Sequence, residues 1–342
     1  MMVDLKAYVP AWIQRWWFPK VTLNSLQGAM ARIMRHIAIS TAAIPFDPAT
    51  DIPDLSDKVV LVTGGNNGLG RQSVCEYARH NPKHLFVGAR NVAAAQAVVD
   101  EVHRYMPDAA LSVLPLDLTS FRSVQAAARQ VAAQTDRLDI LMLNAGIMAA
   151  APGVTEDGYE VQFGTNHMGH ALLTKLLLPT LRQTPGDGAR IVVLSSRGHL
   201  LAPRGGIDFD TLKKPADHLR PFQRYGQSKL ANVLFAKHLA VQYPELTTVA
   251  VHPGIVRTNL VNSMSGLPMV QKLVGSVGSF WFTPVDQGAK NQLWASVSEG
   301  VRSGEYYEPV GVADRAGRLG RDEDLAKELW DWTVHELKEW SL

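Results

Sequence analysis

The stretch Val59-Val60-Leu61-Val62-Thr63-Gly64-Gly65-Asn66-Asn67-Gly68-Leu69-Gly70-Arg71 decides the fold. Its β-branched apolar run reads as a buried strand, and the helical spacing that starts at Arg71 reads as the helix that follows. Between them, glycines permit a sharp turn and a close backbone approach. The free N–H groups at the helix start face that turn with a favourable dipole, which suits a pyrophosphate. A glycine-rich turn by itself carries little weight, because plain structural turns look the same. Set between strand and helix at the head of a βαβ unit, it points to a dinucleotide.

Outward from this turn, short apolar runs alternate with longer helical patterns. Strands are predicted at Val59–Thr63, Leu85–Ala89, Leu111–Leu116, Ile140–Leu143, Ile191–Leu194 and Thr248–His252, with a short seventh at Gly304–Tyr307. Arg71–Asn81, Ala93–Tyr105 and Ser123–Thr135 carry helical spacing between them. The alternation predicts an α/β fold, a doubly wound (Rossmann) parallel sheet of about seven strands with helices on both faces. Residues 1–57 are expected to form an N-terminal extension, with an amphipathic helix at Leu26–Ile39 and a turn-rich linker from Pro45 to Asp57. Residues 58–320 would be the catalytic domain and 321–342 a C-terminal helix, whose Leu325, Leu329, Trp332 and Leu337 are spaced for packing.

Composition narrows the function. The formal net charge is +2, with 34 Lys and Arg against 32 Asp and Glu, so no basic footprint for nucleic acid exists. One cysteine, Cys75, rules out a disulfide framework and a Cys-rich zinc site, and it reads as a small buried residue on a helix. No metal site is expected.

An NAD site would place an acidic residue about 20 residues beyond the turn, against the ribose 2′-hydroxyl. Here the second strand ends in Gly88-Ala89-Arg90-Asn91. The planar cation of Arg90 suits the 2′-phosphate of NADP(H), although a solvated arginine at a strand end would look the same. Asp117-Leu118 closes the third strand and could contact the adenine, unless Asp117 is only the N-cap of the next helix.

The chemistry concentrates in Tyr225-Gly226-Gln227-Ser228-Lys229, which opens a long helical pattern. Positions i and i+4 share a helix face, so Tyr225 and Lys229 can point into one cleft. A phenol with a pKa near ~10 needs a neighbouring cation to exchange protons at neutral pH, and Lys229 can supply it. The fifth strand ends in Ser195-Ser196, where carboxyl ends of parallel strands form the ligand crevice. Ser196 is the candidate for holding a substrate oxygen, with Ser195 as the register alternative. Asn166, in Gln162-Phe163-Gly164-Thr165-Asn166-His167, reads either as the anchor of a proton-relay water within a helix or as a satisfied buried amide.

These residues resemble the short-chain dehydrogenase/reductase family. Thr63-Gly64-x-x-x-Gly68-x-Gly70 matches its cofactor motif, Asn144-Ala145-Gly146 its fourth-strand motif, and Ser196 with Tyr225-x-x-x-Lys229 its active site. His252-Pro253-Gly254-Ile255-Val256-Arg257-Thr258 matches the segment that passes the nicotinamide, so the resemblance runs from Asp57 to Gly311. The stretch between Ser196 and Tyr225 is longer than in compact members and carries Arg204-Gly205-Gly206-Ile207-Asp208-Phe209. That insert, with Ser228-Lys229-Leu230-Ala231-Asn232, resembles the retinol-dehydrogenase and protochlorophyllide-reductase-like branch, which often prefers NADP(H). The likeness extends to fungal pathway reductases.

The resemblance implies a role for each position. Tyr225 would be the general acid/base, Lys229 would lower its pKa and bind the ribose, Ser196 would orient the carbonyl, and Asn166 would maintain the water relay. Expected cofactor contacts are Gly64, Asn67, Gly68, Leu69, Gly70, Arg90, Asp117, Leu118, Asn144, Gly146, Tyr225, Lys229, Val256 and Thr258. Asn144 would stabilise the sheet beside the cofactor, and Val256 and Thr258 would meet its nicotinamide end.

The expected activity is hydride transfer between NADP(H) and a carbonyl or alcohol of a small hydrophobic molecule. Met264, Leu267, Met269, Phe280, Trp281 and Phe282 lie in a loop at about 258–283 that would cover a lipophilic or aromatic substrate, unless it only packs on the domain. Two rivals remain: a nucleotide-sugar epimerase or dehydratase, which can share Tyr-x-x-x-Lys, and a catalytically silent NADP-sensing or scaffolding protein. Trp12, Trp16, Trp17 and Phe18 beside Arg15 and Lys20 suit peripheral membrane contact, or docking on the domain or a partner subunit. No run reaches the ~20 apolar residues of a span. A cytoplasmic protein is expected, with membrane association as the alternative, and the family's habit makes a homo-oligomer the expected assembly.

Overall fold

The predicted apolar runs pair side by side in a computed structural model that describes residues 43–186, 188–256, 265 and 283–342. They form β1 (Val59–Thr63), β2 (His84–Ala89), β3 (Leu111–Pro115), β4 (Ile140–Leu143), β5 (Arg190–Leu194), β6 (Thr247–Val251) and β7 (Tyr306–Tyr307). All six pairings are parallel, in the order β3-β2-β1-β4-β5-β6-β7. The main helices are α1 (Gly68–Ala78), α2 (Val92–Tyr105), α3 (Phe121–Gln134), α4 (Gly169–Arg182), α5 (Pro221–Gln242), α6 (Val285–Val297) and α7 (Glu323–Glu336). This is the doubly wound Rossmann architecture expected from the sequence.

Every residue of β1 is buried, because helices cover both faces of the sheet. Val59 and Leu61 face one core with residues such as Val124, Leu172, Leu230 and Leu329 from α3, α4, α5 and α7. Val60 and Val62 face a second core with Val74, Val99 and Leu293 from α1, α2 and α6. Each such side chain contributes about 1.5–3 kcal/mol on burial, so alternation along one strand fastens helices to both sides.

The strand order places the site. From β1 the chain works outward to β2 and β3, then returns to β4 on the other flank of β1. At that reversal the loops diverge and leave a crevice beyond the carboxyl ends of β1 and β4.

Residues 45–57 do more than the linker expected of them. Residues Ile44–Leu342 form one compact unit, and Phe46, Ile52 and Leu55 are buried in the second core. Leu55 donates its N–H to the His80 carbonyl at 2.7 Å and accepts from Lys58 and Lys83. Three widely spaced apolar residues among turn formers leave no periodicity to read. The C-terminal helix packs against α5, with Trp330 stacked on Phe235 at 5.9 Å. Among the described residues no helix is long and apolar enough to cross a membrane. The N-terminal aromatic and basic cluster, Thr258 and nearly all of the expected substrate loop lie outside the described residues.

Candidate active site

A cleft of about 670 Å³ occupies the crevice. One end is walled by Gly64, Asn67, Gly68, Leu69 and Gly70, the rim by Arg90, Asp117 and Leu118, the floor by Asn144 and Gly146, and the far end by Ser196, Tyr225, Lys229 and Val256. Every described candidate except Asn166 therefore lines one cavity.

The glycine end is built for close approach. Gly64 (φ +67°) and Gly68 (φ +52°) adopt left-handed backbone that only glycine takes without strain. Any side chain at Gly70 would run into the Gly64 carbonyl, so α1 can begin hard against the turn only with glycine there. Asn67 precedes α1 in extended backbone as its N-cap, with no side-chain cap of its own. The turn is tied to β4 by Thr63, whose Oγ1 accepts from the N–H groups of Asn144 (2.9 Å) and Ala145 (3.0 Å). Asn144 donates its Nδ2 back to the Thr63 carbonyl at 2.8 Å.

Arg90 is exposed at the rim. Asp117 closes a local turn, its Oδ1 accepting from the Thr119 N–H (2.9 Å) and hydroxyl (2.7 Å). The N-cap of α3 is Ser120, so the capping alternative for Asp117 is set aside.

At the far end, Tyr225 and Lys229 share the buried face of α5. Ser196 hydrogen-bonds the Tyr225 phenol, whereas Ser195 Oγ is committed to the Lys229 carbonyl at 2.7 Å. Lys229 Nζ lies 5.9 Å from the Tyr225 ring centre and donates to the Leu194 carbonyl at 2.9 Å. Burial pushes Tyr225 up to about 12, opposed by the Ser196 hydrogen bond. Burial likewise pushes Lys229 down to about 8. Burial is the larger influence on both groups.

Asn166 sits beneath the cleft, fully buried, in a π-helical turn at Gly164–Met168 rather than in a regular helix. Its Oδ1 accepts from Ile147 N–H (2.8 Å), and its Nδ2 donates to the Ile147 carbonyl (3.0 Å) and to Ser228 Oγ (2.9 Å). Ser228 Oγ in turn donates to the Tyr225 carbonyl at 2.8 Å, so Asn166 fastens the first turns of α5.

Several contributors escaped sequence reasoning. A Cβ at Gly198 would stand 2.7 Å from the Tyr225 ring, so a glycine there leaves the ring its place. Gly288 on α6 makes room for Leu69 and Val256. His199 is buried with Nδ1 2.7 Å from the Ser196 carbonyl and Nε2 2.8 Å from that of Ala316. Arg224, next to the tyrosine, forms a buried ion pair with Glu160 at 3.1 Å and donates to the Ala150 carbonyl at 2.9 Å. A glycine two positions after Ser196 was the one readable hint among these.

Comparison with known proteins agrees with this geometry. The short chain dehydrogenase family profile matches residues 58–206. The short-chain dehydrogenase/reductase drtF of Aspergillus calidoustus is 36% identical over 86% of this chain and 97% of its own length. Human retinol dehydrogenase 14 is 38% identical over 80% of this chain and 84% of its own. A crystal structure of an uncharacterised protein from Mycobacterium paratuberculosis superposes with a TM-score of 0.66 at 30% identity, covering 85% of this chain and 97% of that one. The chain therefore belongs to the short-chain dehydrogenase/reductase family, nicotinamide-dependent oxidoreductases of alcohol and carbonyl groups, in its retinol-dehydrogenase-like branch.

Proposed function

We propose that the chain is an NADP(H)-dependent oxidoreductase of a hydrophobic small-molecule carbonyl or alcohol, with Tyr225 as general acid/base. The observation that carries this reading is the convergence of Ser196, Tyr225 and Lys229 at one end of a cleft whose other end is the glycine turn. A turn that a Cβ at Gly70 would fill is a cradle for a pyrophosphate, and the cleft extends from there to the phenol. Gly64, Asn67, Gly68, Leu69 and Gly70 would hold the phosphates, Asp117 and Leu118 the adenine, and Asn144, Gly146, Lys229 and Val256 the nicotinamide half.

A bound nicotinamide supplies or accepts the hydride at the carbonyl carbon. In reduction, Tyr225 donates its phenolic proton to the substrate oxygen while Ser196 holds that oxygen by hydrogen bond. Burial keeps the phenol protonated, the form that reduction needs. Lys229, with its ammonium destabilised by burial, can pass a proton to re-protonate the phenol, and Asn166 keeps the first turns of α5 in place. The cationic fork of Arg90 at the rim favours a 2′-phosphate.

The wall supports a hydrophobic substrate. Ile147, Met148 and Ile255 line the same cleft as Tyr225, and human retinol dehydrogenase 14 is named for an apolar alcohol. Val256 lines the cleft and pairs with Thr283, and residues 258–283 are proposed as the segment that covers the substrate.

Titration of the purified chain with NADPH and NADH, followed by turnover with a panel of hydrophobic aldehydes and ketones, tests the reading. NADPH-dependent turnover is expected. Y225F should abolish it, leaving NADPH affinity within about twofold, because the phenol acts on the proton and not on the phosphates. Turnover by Y225F at the wild-type rate would remove Tyr225 from the mechanism.

A further inference from the structure

We propose that His170 is a positioning residue that couples the glycine turn to the Tyr225 helix, so that the cofactor end and the proton-transfer end are set together. The inference rests on the cofactor reading above. His170 stands in the first turn of α4, 1% exposed, beneath the cleft and outside the residues that line it. Its Nδ1 lies 3.1 Å from the Asn166 carbonyl and its Nε2 2.9 Å from Thr63 Oγ1.

Donor and acceptor chemistry assigns the tautomer of this bridge, with the Met142 carbonyl at 3.4 Å as the longer alternative acceptor for the Thr63 hydroxyl. A carbonyl only accepts, so Nδ1 carries the hydrogen and Nε2 is left as an acceptor. The Thr63 hydroxyl therefore donates to Nε2. Its two lone pairs are already taken by the N–H groups of Asn144 and Ala145. Burial holds the ring pKa down at about 3, which keeps the imidazole neutral with the single N–H that this pattern requires.

Both partners of the bridge lead to the site. Thr63 immediately precedes Gly64 and ties the turn to the end of β4. Asn166 holds Ile147 in the cleft wall and, through Ser228, the carbonyl of Tyr225. One imidazole thus closes a continuous buried hydrogen-bond path from the phosphate cradle to the reacting helix. Cutting it takes a donor from the Asn166 carbonyl and leaves the Thr63 hydroxyl only the Met142 carbonyl at 3.4 Å, and a buried polar group left unpaired costs about 1–3 kcal/mol.

The test is a double-mutant cycle on the full chain with H170F, T63V, T63V/H170F and H170Q. Two quantities are read: the Kd of NADPH by nicotinamide fluorescence, and amide hydrogen exchange over residues 225–229. H170F is expected to weaken NADPH about tenfold and to speed exchange at the start of α5. T63V, altered at the other end, should speed the same exchange in the wild-type background and add little to H170F. H170Q, whose amide also offers one donor and one acceptor, should recover most of both. Additive effects, or wild-type affinity and exchange in H170F, would overturn the coupling. Failure of the wild type to bind NADPH or NADH would overturn the cofactor reading, while the exchange cycle would still decide the role of His170. If H170F does not fold, H170A takes its place in the cycle, with the same outcomes expected.

Discussion

At Tyr225 and Lys229, burial outweighs mutual electrostatics, and the pH dependence of stability should report it. Lys229 sheds its proton near 8 in the fold and near 10.5 when unfolded. Between those values the unfolded chain binds more protons, so stability rises with pH, is complete above the unfolded value and is lost as pH falls through 8. The gain is on the order of 3 kcal/mol. Tyr225 acts in the opposite sense above pH 10, since the fold keeps its proton up to about 12. In K229M the rise between about pH 8 and 10 should vanish, measured as the wild-type minus variant difference in denaturant stability at each pH. Parallel pH curves would mean that Lys229 is hydrated in the fold. Arg90 permits a second residue-scale test. R90A should weaken NADPH about tenfold, a charge-assisted phosphate contact discounted for exposure, and leave NADH unchanged. Equal loss for both cofactors, in paired titrations, would take the 2′-phosphate away from Arg90.

The elements around Tyr225 are held by a charge pair that no local pattern announces. Glu160 caps the one-turn helix Val161–Phe163 through the N–H groups of Gln162 (3.0 Å) and Phe163 (2.7 Å) and pairs with Arg224 at the start of α5. Arg224 also holds the Ala150 carbonyl, next to Ala149 in left-handed backbone (φ +49°). Burial pushes the Glu160 carboxyl up while its amide donors and Arg224 oppose it. Removing one partner leaves the other buried without a counter-charge, so R224M should cost about 3–5 kcal/mol, and R224M/E160M should recover a substantial part. Chemical denaturation of the three proteins decides this; a double variant less stable than R224M would mean that the capping bonds outweigh the ion pair. Arg224 and Glu160 lie far apart in sequence, and a charge destined for the core reads like one destined for water. By contrast, β1, the glycine turn and the Tyr225–Lys229 spacing were legible because each is local: period, turn chemistry and helix geometry act within a few residues. The choice between Ser195 and Ser196 was not, since it depends on which hydroxyl the Lys229 carbonyl takes. Nor was the π turn at Asn166, nor the role of Phe46, Ile52 and Leu55 as core.

Across the whole molecule, the cleft joins the two cores that the sheet separates. Its walls come from the ends of β1, β4, β5 and β6 and from α1 and α5, so a ligand in it bridges elements anchored on opposite faces of the sheet. Binding to the fold and not to the unfolded chain stabilises by about 2.7 kcal/mol when ligand is present at 100 times its Kd. For a domain of this size each kcal/mol raises the melting temperature by roughly 2 °C, so saturating NADPH should raise it by about 5 °C. NADH at the same concentration should give a smaller rise, because only NADPH carries the 2′-phosphate that Arg90 would meet. G70A supplies the control for the cradle: its Cβ meets the Gly64 carbonyl, so the turn must open, and the NADPH-induced rise should disappear along with part of the intrinsic stability. Thermal melts with and without each cofactor read all three quantities together. A full NADPH shift in G70A would move the phosphates away from the turn at Gly64–Gly70, because a cradle that tolerates a methyl group at its tightest point is not the one holding the ligand.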